Sequence, residues 1–124
     1  MCMREHRLDI TRRMREFFEN GMRGHTAVSN ITQLKGDVYK IERTGHRPDL
    51  TVLIVDIYIF GEADVLELSE MYSGIDCIVL VGFYNRYSRY AKRLACEMNV
   101  GLFENREFFG ALNLVGHRFL GYQK

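Results

Sequence analysis

No lysine or arginine occurs between residues 48 and 80, although the chain has seventeen of them. That stretch instead carries seven acids: Asp49, Asp56, Glu62, Asp64, Glu67, Glu70 and Asp76. The flanks are basic, with ten Lys/Arg against six Asp/Glu in residues 1–47 and seven against three in residues 81–124. A net charge of +1 therefore hides a basic, acidic, basic order. That order excludes a uniformly basic nucleic-acid coat and leaves room for a local basic face. No apolar run approaches the roughly 18–20 residues of a membrane span. The start, Arg4-Glu5-His6-Arg7, is charged and has no apolar signal-peptide core. The expectation is a cytoplasmic protein with no membrane partner. Cysteines are few and scattered: Cys2, Cys77 and Cys96, with no Cys-x-x-Cys pair. They read as buried reduced thiols, and no His/Cys spacing suggests zinc. The chain lacks a Gly-x-x-x-x-Gly-Lys-Ser/Thr loop and a Gly-x-Gly-x-x-Gly turn, so no ATP or dinucleotide motif is present. No Ser/His/Asp grouping has a nucleophile elbow. Repeats, low-complexity segments and linkers are also missing. The length of 124 residues with 47% hydrophobic residues then suits one ordinary α/β domain over residues 1–124.

Periodicity supplies the elements. Residues 5–20 read as a helix, with Leu8, Met14, Phe17 and Phe18 on one face and Arg7, Arg12, Arg13 and Arg15 on the other, ended by Asn20-Gly21. Residues 25–33 and 37–43 read as strands, and Thr44-Gly45-His46-Arg47-Pro48 as a turn. Residues 50–60 are the strongest strand, almost continuously apolar, which implies burial on both faces. Residues 62–73 read as a helix with Val65, Leu66, Leu68, Met71 and Tyr72 inward. Residues 75–81 are a second buried strand. A helix follows over 86–98 with Tyr87, Tyr90, Ala91, Leu94, Ala95 and Met98 as its apolar stripe. A short strand at 100–103 and a helix at 105–113, capped by Asn105, complete a core of about residues 5–113. Residues 114–124 read as a tail of mixed character. The opening hairpin is antiparallel and the later strands, separated by helices, are parallel. The result is a mixed central sheet flanked by helices.

One residue interrupts the strongest strand: Asp56. A carboxylate inside a doubly buried strand costs several kcal/mol unless it is paired, protonated or bound to a metal. Two readings stand. Asp56 is an end-of-strand acid that meets solvent or an arginine, or it shares a cation with a second carboxylate. Asp49 does not qualify as that partner. Seven residues along one strand put it about 23 Å away on the opposite face. Asp37 is the better candidate. If the hairpin turns at 44–49, Arg43 opposes Leu50 and Asp37 opposes Asp56, a placement suited to magnesium.

The order αβββαβ, with Gly36-Asp37-Val38 on the second strand and Val55-Asp56-Ile57-Tyr58 on the third, resembles the restriction-endonuclease-like fold. This is the PD-(D/E)xK nuclease superfamily, and its Mrr-like branch is the most similar. The run from Ile78 to Asn85, then Tyr90-Ala91 to Ala95, then Val100 to Phe103, has the rhythm of that family's strand-helix-strand end. Glu16 matches an acid some members place on the first helix. The resemblance spans about residues 5–113 and implies Asp37 and Asp56 as catalytic and magnesium-binding acids. The family's third-strand lysine, which activates the attacking water, is here Tyr58. A phenol is neutral at pH 7 and supplies no positive charge. Lys35, an even number of residues from Asp37, is the better relocated lysine; Lys40, an odd number away, points to the other face.

Thirteen of the seventeen basic residues are arginine, which suits bidentate phosphate contacts. Arg86, Arg89, Lys92 and Arg93 cluster with Tyr84, Tyr87 and Tyr90. They read either as a phosphate-contacting face with stacking aromatics or as a solvated helix face over core tyrosines. Arg12 and Arg13 on the first helix carry the same two readings. Phe83, Phe108, Phe109 and Phe119 read as core or partner contacts rather than as a base-stacking platform. Three functions follow. The first is a nuclease-like module that binds nucleic acid, or serves as a subunit of a DNA- or RNA-processing assembly, without cleaving it. The second is a magnesium-dependent endonuclease using Asp37, Asp56 and Lys35. The third is a protein-interaction or homodimer module.

Overall fold

The computed structural model describes residues 7, 8 and 10–124. Thr11 sets where the first helix begins. Its Oγ1 accepts a hydrogen bond from the Met14 amide at 3.1 Å, capping helix α1, Arg12–Arg23. The expected helix over 5–20 is thus corrected at both ends, and its residues 5, 6 and 9 lie outside the described residues. Arg7–Leu8 form a short strand, β1. At the other end Asn20-Gly21 does not stop the helix. Gly21 serves a close approach, since a Cβ there would sit 2.7 Å from Cζ of Phe109.

Strands β2 (Val28–Lys35) and β3 (Val38–Arg43) form the expected antiparallel hairpin. Its two-residue loop is Gly36-Asp37, with Gly36 at φ +56°, a left-handed value that glycine takes without strain. Strand β4 (Leu50–Ile57) runs antiparallel to β3. It outruns the hairpin, and β1 pairs with the surplus, Arg7 opposite Ile57 and Leu8 opposite Asp56. The backbone groups of a buried strand need such partners. The chain continues through β5 (Ile59–Phe60), α2 (Glu62–Met71), β6 (Cys77–Leu80), β7 (Arg86–Tyr87), α3 (Arg89–Glu97), β8 (Gly101–Glu104), α4 (Asn105–Ala111) and α5 (Gly116–Leu120). The main sheet has the order β2-β3-β4-β6-β8, with β4, β6 and β8 parallel; β5 and β7 pair separately, also in parallel. The fold is mixed α/β, a five-stranded mixed sheet flanked by helices.

The continuous apolarity of β4 arises because alternate side chains enter two cores. Val52 and Ile54 join Tyr39, Phe103 and Phe18 of α1, with Phe108 and Phe119. Leu53, Val55 and Ile57 join Val65 and Leu68 of α2 and Ala91 and Ala95 of α3. Residues 114–124 are more than a tail, because α5 sends Phe119 into the first core. Several residues assigned inward by periodicity are exposed: Phe17, Leu66, Met71, Tyr90 and Met98. Asn105 is the first residue of α4 and Glu104 its cap. Cys77 is a buried free thiol, pushed up in pKa by that burial, and Cys96 is partly buried; Cys2 lies outside the described residues.

Beneath α1, the buried Tyr39 hydroxyl donates to Glu19 at 2.5 Å and accepts from Arg15 at 3.0 Å. Burial and the bond to Glu19 push its pKa up to about 12, against the opposing effect of Arg15. In the unfolded chain a tyrosine ionises near pH ~10. The stabilisation is therefore complete below pH ~10 and is lost as pH rises through about 12. Burial raises Tyr87 in the same sense. Urea midpoints should fall across this window, and less steeply for Tyr39→Phe. Equal slopes for the two proteins would exclude Tyr39 as a source of the loss.

Candidate functional site

Asp37 occupies the second loop position of the hairpin, where its carboxylate pairs with the Arg15 guanidinium. Its carbonyl accepts from the Ile54 amide at 3.0 Å, so Asp37 lies opposite Ile54 and not opposite Asp56. The expected register is therefore corrected by two residues, with Leu50 opposite Ile41 and not opposite Arg43. The connection from β3 to β4 is correspondingly longer, and beside it the buried guanidinium of Arg43 donates to the carbonyls of Pro48, Leu112 and Leu114 at 2.9, 3.1 and 2.7 Å. Asp37 and Asp56 still share the α1 face of the sheet by strand alternation, but each is engaged separately.

Asp56 is 6% exposed, and its Oδ1 accepts from Nδ2 of Asn85 at 3.0 Å. Asn85 in turn accepts, through Oδ1, from the Gly82 amide at 2.9 Å. The Asn85 amide donates back to the Gly82 carbonyl at 3.2 Å. A Cβ on Gly82 would lie 2.5 Å from both Asp56 Oδ1 and Asn85 Nδ2, so only glycine fits. The acid of β4 thus fastens the turn that leaves β6. Asn85 was not singled out by motif; its signal was the Gly-x-x-Asn spacing immediately after a buried strand.

Among the described residues, no three His, Cys, Asp or Glu side chains gather where they could hold a metal ion. A magnesium ion needs near-octahedral oxygen ligation. Two carboxylates already engaged, one by a guanidinium and one by an amide, do not fit that demand. Tyr58 follows β4 at a bend and is 63% exposed, its carbonyl accepting from the Arg86 amide at 2.9 Å. Lys35 is exposed at the end of β2, opposite Val38. No ion pair among the described residues joins it to Asp37 or Asp56. Lys40 pairs with Asp49 at 3.7 Å, and Glu16 with Arg12 at 3.1 Å.

The basic cluster divides. Ser88 caps α3 by accepting from the Ala91 amide at 3.0 Å, which leaves Arg86 on β7 and not on the helix. Arg86, Arg89 and Arg93 are exposed, as is Arg13 on α1. The guanidiniums of Arg89 and Arg93 lie 5.7 and 5.8 Å from the centre of the Tyr90 ring. Lys92 is different. It is 6% exposed, and its Nζ donates to the carbonyls of Leu102 at 2.6 Å and Tyr122 at 2.9 Å. Burial lowers its pKa. Its place in a solvent-facing set is corrected: on α3, positions 91, 92 and 95 are the buried ones. Tyr87 is also turned to structure, its hydroxyl donating to the buried Glu107.

Of the two readings of Phe83, the core is excluded. It is 89% exposed, its neighbour Tyr84 is 77% exposed, and their ring centres are 6.5 Å apart. Phe108 and Phe119 do lie in the core, and Phe109 is half-buried against His25. Exposed aromatics and the pinned Gly82–Asn85 turn thus lie where β4 and β6 end, and the exposed Arg86, Arg89 and Arg93 follow on β7 and α3. No family model, curated protein or solved structure matches the chain. A surface groove of about 640 Å³ lies elsewhere, lined by Asn113, His117, Arg118 and Tyr122 among others. No helix among the described residues is long and apolar enough to cross a membrane.

Proposed function

We propose that the chain is a nucleic-acid-binding module built on a restriction-endonuclease-like core that has lost cleavage chemistry. The carrying observation is the exposure of Arg86, Arg89 and Arg93 along a segment, residues 81–96, that contains no acid. Guanidiniums present forked donors that match phosphate, and no ion pair among the described residues engages these three. The order α1-β2-β3-β4-α2-β6 supports the core. Tyr58 in place of lysine, Asp37 held by Arg15 and Asp56 held by Asn85 support the loss of cleavage.

The test is fluorescence anisotropy with DNA and RNA oligonucleotides across a salt series. Affinity should fall steeply with salt, by a slope of about one per phosphate neutralised. Arg89→Ala with Arg93→Ala should flatten that slope by about two and weaken binding about tenfold or more. Incubation with magnesium or manganese should leave the substrates intact. Cleavage that disappears in Asp56→Ala would replace this reading with a metal-dependent endonuclease using a relocated lysine such as Lys35. An absence of binding at low salt, together with a dimer in solution, would favour a protein-interaction module.

A further inference from the structure

Two aromatic rings stand almost fully in solvent on a turn that is held rigidly. Phe83 and Tyr84 are the central residues of the Gly82–Asn85 turn, which is closed by the Asn85 amide on the Gly82 carbonyl. The Asn85 side chain fastens both ends, to the Gly82 amide and to the buried carboxylate of Asp56. The backbone that carries the rings therefore loses little conformational freedom when a ligand arrives. Beside them, Tyr58 is exposed, and its carbonyl is tied to the Arg86 amide at 2.9 Å. Three rings and one guanidinium then share the carboxyl ends of β4 and β6, with Arg89 and Arg93 following on α3.

The ligand that matches this chemistry has flat apolar faces and a repeating negative charge. Unpaired bases on a phosphodiester backbone have both. Duplex bases do not, because their faces are stacked on each other and only their edges are open. The arginines of residues 81–96, a segment with no acid of its own, also disfavour a basic partner by like charge.

We propose that Phe83, Tyr84 and Tyr58 form a base-stacking platform that selects single-stranded nucleic acid, with Asp56 and Asn85 as positioning residues. The inference rests on the nucleic-acid reading above. It assigns Asp56 a purpose other than metal binding: its carboxylate sets the posture of the turn.

The sequence contains no tryptophan, so Phe83→Trp installs a single indole at the platform. Titrated with an unstructured oligothymidylate or oligouridylate, its emission should be quenched, and a duplex of equal length should leave it unchanged. Phe83→Ala with Tyr84→Ala should weaken single-strand binding about 30-fold, the sum of two modest stacking contacts, and change duplex binding less than about twofold. Asp56→Asn, which keeps an acceptor for Asn85, should retain the quenching in the tryptophan background, and Asp56→Ala should lose it. Equal loss in both would overturn the positioning role. The platform is overturned if single strands and duplex bind alike and the aromatic double variant is neutral, while Arg89→Ala with Arg93→Ala still loses binding; the module reading then stands. Binding of neither nucleic acid removes both. Self-association that Phe83→Ala abolishes, with oligonucleotide binding untouched, would make the turn a protein contact and overturn the platform.

Discussion

Replacing Lys92 with alanine should lower the unfolding free energy by about 3 kcal/mol, whereas Lys92→Met should cost about 1 kcal/mol or less. The difference follows from what surrounds the ammonium. It donates to two carbonyls from separate segments, Leu102 on β8 and Tyr122 near the carboxyl terminus, and lies 4.2 Å from the centre of the Phe103 ring. Alanine removes the buried stem, worth about 0.8 kcal/mol per methylene. It also leaves both carbonyls without this donor, and Glu107 without a nearby cation. Methionine keeps the stem volume and relieves the desolvation of a buried charge, which offsets much of the lost bonding. Urea denaturation measures both variants, and an unchanged m-value would confirm that the folded state alone is affected. Arg89→Ala, on the same helix but exposed, should stay within about 0.5 kcal/mol of the parent. If Lys92→Ala is equally harmless, the buried placement of Lys92 is wrong. A basic residue one position from Arg93 thus acts on stability while Arg93 itself is left for a ligand.

Asp56→Ala should lower stability by about 2 kcal/mol, and Asp56→Asn by less than about 1 kcal/mol. Alanine strands the Nδ2 group of Asn85 in a buried position, while asparagine still presents an Oδ1 acceptor there. Asn85→Ala should be the more severe change, about 3 kcal/mol, because it removes the Asn85 donor to a buried carboxylate and the Asn85 acceptor of the Gly82 amide together. Thermal midpoints and urea midpoints of the three variants test this order. If Asp56→Asn is as damaging as Asp56→Ala, the negative charge matters for its own sake, and a cation-binding role regains support. If Asp56→Asn instead raises stability, the carboxylate is retained at a cost, which is the pattern of a functional acid.

The amino-acid sequence by itself determined the sheet's central strand and the order around it. Residues 50–57 are apolar at nearly every position, and only a strand buried on both faces has use for that pattern. The Thr44 to Pro48 turn and the alternation of helices with strands after residue 60 placed the antiparallel and the parallel parts, whereas Asp37, read as a strand residue, lies in the loop between β2 and β3. Asp56 was visible as an anomaly in an apolar run, because local composition alone identifies a costly residue. Its partner was not visible. Asn85 lies 29 residues on, and no local pattern records that β6 delivers its turn to the end of β4. The pairing of Asp37 with Arg15 is equally non-local. The bonds of the buried Arg43 to Leu112 and Leu114 are non-local in the same way. Lys92 and Arg93 differ by one residue, hence by about 100° around a helix. Which of them is buried was decided by β8 and the carboxyl-terminal segment packing on one side of α3. Phe83 and Tyr84 carry the most apolar signal of their segment, yet a glycine with no space for a Cβ and an asparagine bonded to Asp56 hold both rings in water. Local composition leaves the place of such residues open; only the tertiary arrangement showed that both rings face solvent.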